Sequence, residues 1–474
     1  MKKSIKIILA ILSVVAIILP LLFPIISLVT PTVYHESFVH SLDEKISRLE
    51  SIEEDKIVVI GGSSVAFGLD SELIERNTGM PVVNFGLYAA LGTKLMLDLA
   101  LPHIDDGDIV IVAPELDAQT LSLYFNSGTT LRALDGNLFP TLFDIPMEHY
   151  ASLFGASWDY TAEKLSYLLG DAPTYGGIYS SSSFNEYGDV KSGLRPHNVM
   201  TRYYDGNQTV TLTEDILSPE FKDYLNEFAR KCRGKGAETM FSWCPVNELA
   251  LESSDDEIAA FEEYMADSLD LTFISYLSDY ILPANYFYDT NFHLNDSGVK
   301  LRSIKLAEDI LLELGDPSGV DEELPEMPEL PKSSILFDGE DANDIYFDYT
   351  TLPDGSFGVS GVKDEYKNMT ELTLPLGHDG YKVTSLCANA LVGTGVQKII
   401  IPENTNIRTL ENGAFYGASE LREIWIYFYN EAELVPPDDF NGTRRDLVVY
   451  VPEGSGYSAG YYWGQRNLTF KTIE

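Results

Sequence analysis

Short apolar runs alternate with amphipathic stretches from Lys56 onward. Ile57 to Ile60 predicts a buried strand ending at Gly61-Gly62; Val82-Val83 predicts a second, closed by Gly86, and Asp108 to Ala113 a third. Asp70 or Ser71 caps a predicted helix that runs to Asn77 with Gly79 beyond its end, and Leu95 to Ile104 reads as another helix. From about Gln119 to Glu214 the pattern is irregular and rich in Tyr, Ser, Gly and Asn, as expected of an insertion over a sheet edge. It resumes with a helix at Pro219–Arg233, a strand at Glu238–Trp243, a helix at Asp255–Ala266, a strand at Leu271–Ile274 and a helix at Asp296–Leu314. This alternation predicts parallel βαβ units: an α/β fold, a three-layer α/β/α sandwich around a parallel sheet, over residues 56–315.

The flanks follow other patterns. Lys2, Lys3 and Lys6 precede an uncharged apolar stretch from Ile7 to Val29. At about 1.5 Å per residue a helix of that length crosses the roughly 30 Å hydrocarbon core. Residues 1–30 therefore predict a cytoplasmic stub and a single transmembrane anchor, with the lysines inside and the main domains extracellular. A cleaved signal peptide is the alternative, although no A-x-A site follows the stretch. Residues 31–55 predict a stem helix, with Leu42, Ile46, Leu49 and Ile52 at helical spacing. Residues 316–333 are Pro- and acid-rich without apolar periodicity, which predicts a solvated linker.

Composition narrows the partners. Asp and Glu total 73 against 32 Lys and Arg, a formal net charge of −41. That balance repels nucleic acid and suits a protein that meets solvent, cations or neutral glycans. Three cysteines, Cys232, Cys244 and Cys387, argue against a disulfide framework and leave a Cys232–Cys244 bridge open. No CxxC or His/Cys spacing suggests zinc, and no motif calls for a cofactor.

Residues 334–474 carry a repeat. Leu372-Thr-Leu-Pro375, Ile399-Ile-Ile-Pro402, Ile424-Trp-Ile426 and Val449-Tyr-Val-Pro452 recur at about 25 residues. Ala390-Leu-Val-Gly393, Ala414-Phe-Tyr-Gly417 and Phe440-Asn-Gly442 stand between them as apolar plugs. This resembles the leucine-rich repeat of bacterial surface-antigen (BspA-like) proteins. The aromatics Trp425, Tyr427, Phe428 and Tyr429 divide between core and an exposed patch, a candidate surface for a protein partner.

The chemistry concentrates in two segments. Val58-Val-Ile-Gly-Gly-Ser-Ser64 puts serines at the C-terminal end of the first strand, where α/β sheets hold ligands and where the next helix N-terminus favours developing negative charge. The bland reading is a plain βα turn. Tyr288-Asp289-Thr-Asn-Phe-His293-Leu-Asn-Asp-Ser-Gly298 supplies an imidazole and a carboxylate in a loop before the last helix. A serine nucleophile needs such a base, oriented by such an acid. A polar loop histidine is the bland alternative.

Together these segments resemble the SGNH/GDSL hydrolase superfamily, closest to its membrane-anchored, cell-envelope members. Gly61-Gly-Ser63 stands where that family has Gly-Asp-Ser; Val83-Asn-Phe-Gly86 matches its second block and Asp289…His293-Leu-Asn its last. The resemblance implies Ser63 as nucleophile, with Ser64 as the other register, His293 as base and Asp289 as its orienting acid. It also implies an oxyanion hole from the amides of Ser63 and Gly86. Three departures stand out. The Asp of Gly-Asp-Ser is missing, Asp289 and His293 are separated by three residues instead of two, and Ala113-Pro-Glu115-Leu replaces Gly-x-Asn-Asp. Losing that Asn removes a donor of the kind worth roughly 10²–10³ in rate. Ser64, Asn84, Glu115 and Asn247 are candidates for the cleft. The expected activity is O-acyl, foremost acetyl, ester hydrolysis or acyl transfer on a cell-envelope glycan or acylated polysaccharide. The rival is an inactive surface protein whose repeats mediate adhesion.

Overall fold

The computed structural model describes residues 23–473, apart from 137–140, 142, 172–174, 176, 196–198, 201–202, 331–334, 353–354, 430–433, 438–439, 445, 456 and 458–467. Most of the apolar run Ile7–Val29 lies outside these residues. Among the described residues no helix is long and apolar enough to cross a membrane.

The β-branched runs form the strands of a parallel sheet because parallel strands are covered on both faces and tolerate no polar alternation. Strands β1 (Ile57–Gly61), β2 (Val82–Gly86), β3 (Ile109–Val112), β4 (Glu238–Phe241) and β6 (Thr272–Phe273) pair in the order β2-β1-β3-β4-β6. A small separate pair joins β5 (Val246–Asn247) to β7 (Ile281–Leu282). Alternate residues serve opposite faces. Val58, Ile60, Val83, Phe85, Val110 and Val112 enter one apolar cluster; Ile57, Val59, Val82, Ile109 and Ile111 enter another. The chain leaves β1 for a neighbour on one side (β2) and then on the other (β3). The crevice at the C-terminal end of β1 is therefore the topological switch point.

The α-helices among the described residues are numbered in chain order: α1 (Ile25–Val29), α2 (Leu42–Ser51), α3 (Ser63–Ala66), α4 (Ser71–Thr78), α5 (Thr93–Ala100), α6 (Ser127–Ala133), α7 (Tyr150–Ser166), α8 (Pro219–Lys235), α9 (Asp255–Ser268) and α10 (Asp296–Glu313). Their ends follow side-chain chemistry. Asp70 accepts the Leu73 amide at 3.0 Å to start α4, and Gly79 ends it at φ 72°, where only glycine is unstrained. Asn295 accepts from Gly298 N at 3.0 Å to start α10.

Three expectations change. The predicted helix to Ile104 ends at Ala100, because Pro102 turns the chain into a 3₁₀ segment at Leu101–His103. The stretch read as irregular contains α6 and α7, whose helical pattern is obscured by Gly, Ser and Thr. The predicted stem becomes α2, which buries Leu42, Lys45, Ile46 and Leu49 and lies on β2. All three cysteines are buried and unbridged.

Beyond α10 the chain runs extended past the first domain. Arg76 pairs with Glu322, and Asn285 Nδ2 donates to Pro328 O at 2.8 Å. Strands β8 (Glu371–Thr373), β9 (Lys398–Ile401), β10 (Glu423–Ile426), β11 (Val448–Val451) and β12 (Thr469–Thr472) then form one parallel ladder. Leu391, Phe415 and Phe440 plug the core behind it. On the outer face Trp425 stacks on Tyr450 at 4.4 Å and Lys398 covers its other side at 4.5 Å, so both indole faces are occupied.

Candidate active site

Ser63 opens α3, directly after the Gly61-Gly62 turn that ends β1. Position 61 requires glycine, because a Cβ there meets backbone; at 62 it meets only the end of a side chain. A Cβ on Gly61 would stand 2.5 Å from Ala113 O, and one on Gly62 2.8 Å from Glu115 Oε2. Ser63 is partly exposed, whereas Ser64 is fully buried and its hydroxyl finds no hydrogen-bond partner among the described residues. Of the two hydroxyls, that of Ser63 is the more accessible.

The loop before α10 brings the other two groups together. Tyr288 N donates to His293 O at 2.9 Å and His293 N to Thr290 Oγ1 at 3.1 Å, which closes a tight turn. Asp289 and His293 meet across it, with His293 Nδ1 2.8 Å from Asp289 Oδ1 and both side chains buried. A proton on Nδ1, held by the carboxylate, leaves Nε2 as the basic nitrogen. The three-residue spacing is thus compatible with a direct pair. His293 lies flat on Phe67, centroids 4.1 Å apart and planes within 4°. Phe67 is one helical turn beyond Ser63, and Phe67 N donates to Ser63 O at 2.8 Å. One ring therefore links the serine turn to the imidazole.

Glu115 lies against the serine turn, within electrostatic reach of His293. It accepts Ser64 N at 2.7 Å and the Ser63 hydroxyl at 3.1 Å. Burial holds its carboxyl above the usual carboxylate range, Asp117 adds to this, and the Ser64 amide, His293 and Ser63 pull the other way. Arg302, buried beneath, donates to Ser64 O at 2.6 Å and fixes the turn from below.

The remaining sequence candidates fall elsewhere. Asn84 is buried, with its amide donating to Val65 O at 2.9 Å and Asp189 Oδ1 at 2.8 Å. Its carbonyl takes the Gly86 amide at 3.0 Å, so that amide already has an acceptor. Asn84 holds the second strand's end and does not line the cleft. Asn247 is buried too: Nδ2 donates to Tyr203 O at 2.7 Å, and its backbone amide donates to Asn291 O at 3.0 Å. It braces the Asp289–His293 loop from behind.

Sequence reasoning missed Tyr179. Its hydroxyl donates to Asp289 Oδ2 and lies 3.4 Å from His293 Nδ1. The tyrosine-rich insertion was the only signal, and it does not single out one residue. Asn291 was also missed; it accepts Asp205 N at 2.7 Å and donates to Asp205 O and Gln208 O at 2.8 Å each.

No family model matches the chain, and no curated protein matches it either. Among solved structures it is similar to a leucine-rich repeat protein from Bacteroides capillosus ATCC 29799. The two are 13% identical, and the match covers 27% of this chain and 95% of that one with a TM-score of 0.19.

Proposed function

We propose that this chain is a membrane-anchored, outward-facing serine O-acyl (acetyl) esterase or acyltransferase of the SGNH/GDSL type. In this reading residues 56–315 are a three-layer α/β/α sandwich, residues 334–474 a BspA-like leucine-rich repeat domain, and the substrate an acylated envelope polysaccharide. The observation that carries it is the Asp289–His293 pair stacked on Phe67, one turn from the partly exposed Ser63 at the switch point.

In the proposed reaction His293 Nε2 takes the Ser63 proton as Oγ attacks the ester carbonyl. Asp289 orients the ring and stabilises its charged form, and Tyr179 fixes Asp289. The alkoxide leaves with the proton from His293, and water or a sugar hydroxyl then attacks the acyl-enzyme. The tetrahedral oxygen needs donors, and the missing Asn leaves a gap among them. Glu115 fills that space. A Cβ at position 62 would come within 2.8 Å of its carboxyl, so in this reading Glu115 brings a carboxyl into the space beside the turn that lacks the Asp. In its neutral form Glu115 donates to the oxyanion, as a buried carboxylic acid can.

A second reading has its own support. Glu115 covers the Ser64 amide and Asn84 the Gly86 amide, as in a site closed to substrate whose repeats serve adhesion. The two are separated by p-nitrophenyl acetate and acetylated polysaccharide as substrates. The esterase reading expects turnover by the wild type and by Ser64→Ala, and its loss in Ser63→Ala and His293→Ala. Absence of wild-type turnover on both substrates sinks it in favour of adhesion.

A further inference from the structure

Helix α7 buries Leu153, Tyr160, Thr161 and Lys164 and leaves Phe154 exposed among Ala151, Ser152, Gly155 and Asp159 on its outer side. Trp158, partly exposed, follows Phe154 by one turn, and Leu168 and Leu169 are exposed just beyond the helix end, Leu169 with 88% of its surface. Large apolar side chains gathered on an exposed surface mark a contact.

A second observation says what covers it. The last residues of the apolar run Ile7–Val29 are seated beside this patch. Phe23 stacks on Trp158 with centroids 5.3 Å apart. Lys164 Nζ donates to Ser27 O at 3.0 Å. Lys164 is itself buried and paired with Asp135, which also accepts the amides of Val33 and Tyr34 at 2.7 and 3.2 Å. The exit of the apolar run is thereby fixed to α7. Helix α1 adds the exposed side chains Ile25, Ile26 and Val29, the last 79% exposed.

We infer that α7 is a second contact with the lipid bilayer, lying in the interface with Phe154, Trp158 and Leu169 among the acyl chains. The inference rests on the reading of Ile7–Val29 as an anchor. If that run enters lipid, the patch in ring contact with Phe23 meets the same boundary. The net charge of −41 gives no attraction to anionic headgroups, so the contact works by apolar burial, as interfacial helices do. Two attachments, anchor and patch, would fix how the domain bearing Ser63 faces the membrane.

The test uses the full-length protein in phosphatidylcholine vesicles. The native cysteines are buried, so single cysteines at Phe154→Cys and Leu169→Cys accept an environment-sensitive fluorophore selectively. Tyr276→Cys, beside the opposite edge strand β6, serves as the aqueous reference and Ile11→Cys as the anchor reference. Probes at 154 and 169 are expected to shift to the blue and to lose most of their emission to nitroxide-labelled lipid, while the probe at 276 responds to iodide alone. Quenching of 154 and 169 by iodide as at 276 overturns the inference. So does protection from both quenchers, which would mean that a second copy or a protein partner covers the patch. Lipid quenching at 11 without quenching at 154 and 169 removes this inference alone; no lipid quenching at 11 removes the anchor reading with it.

Discussion

Replacing Glu115 by glutamine should speed ester hydrolysis at alkaline pH and change it little at acidic pH. Glu115 faces the Ser63 hydroxyl, the Ser64 amide, His293 and Asp117, with Arg302 and Cys244 acting on it from the buried side. Burial is the largest influence and raises its pKa. The neutral, donating form is thus complete at low pH and is lost as pH rises through that raised value. Once ionised, its charge opposes the oxyanion. Two like charges about 4 Å apart at an effective dielectric near 20 repel by about 4 kcal/mol, close to a thousandfold in rate. An oxyanion donor is worth roughly 10²–10³ by itself. Because the lost donor and the added charge act together, the ratio of kcat/KM, Glu115→Gln over wild type, should climb from about 1 at the acidic end to at least roughly 10³ at the alkaline end. The assay is p-nitrophenyl acetate hydrolysis across pH for both proteins. A ratio that does not vary with pH, or a glutamine variant slower everywhere, refutes the assignment of Glu115 to the oxyanion.

Asp289→Asn should lower kcat by as much as about 10⁴ by favouring the wrong imidazole tautomer. Its melting temperature should barely move, because the Tyr179 hydroxyl can turn from donor to acceptor; a matching loss of stability would make the residue merely structural. Lys164→Met leaves the Asp135 charge buried and unpaired, so urea unfolding should show a loss of about 3–5 kcal/mol. A change within error would mean that water reaches the site. Burial lowers Lys45 to about 7, and its Nζ donates to Asn84 O at 2.9 Å. Between that value and its ordinary one the unfolded chain holds a proton that the folded chain does not, so wild-type stability from this group rises with pH. Lys45→Met should flatten that rise in urea midpoints from neutral to about pH 10; an unchanged slope counts against the lowered value.

The parallel sheet was legible because buried strands are written locally. Ile57–Ile60 and Ile109–Val112 are unbroken apolar runs, and their glycine and aspartate boundaries mark both ends. Helix α7 was not, because its burial depends on a lysine and a tyrosine reaching Asp135, and its outer side mixes Phe154 with small and polar residues that blur the period. The same limit applied at the site. Ser63, Asp289 and His293 announce themselves by residue type beside turn signals. Tyr179 acts through a contact 110 residues away in the chain, and no local pattern encodes that. Asn84 and Asn247 look like cleft residues because asparagine at a strand end often is one. Here each has its amide satisfied inward.

The choice between a working and a closed site turns on what the buried polar groups around the Asp289–His293 loop are for. Asn291 is fully buried and makes three hydrogen bonds to the 205–208 segment, while Asn247 ties the same loop to Tyr203. Buried amides are costly unless every partner is in place. A loop needing only to close the sheet edge could do so with apolar residues at lower cost. This network instead holds the backbone at residue 291, between the acid and the base, so that the pair can stay at 2.8 Å with its ring flat on Phe67. Two of the three departures lie at Gly62 and Glu115 on the oxyanion side; the third is the Asp289–His293 spacing, across which the pair still meets. On the proposed reading, an acid–base pair held this firmly beside an altered donor side points to a site whose donor differs, and the Glu115→Gln pH profile tests that.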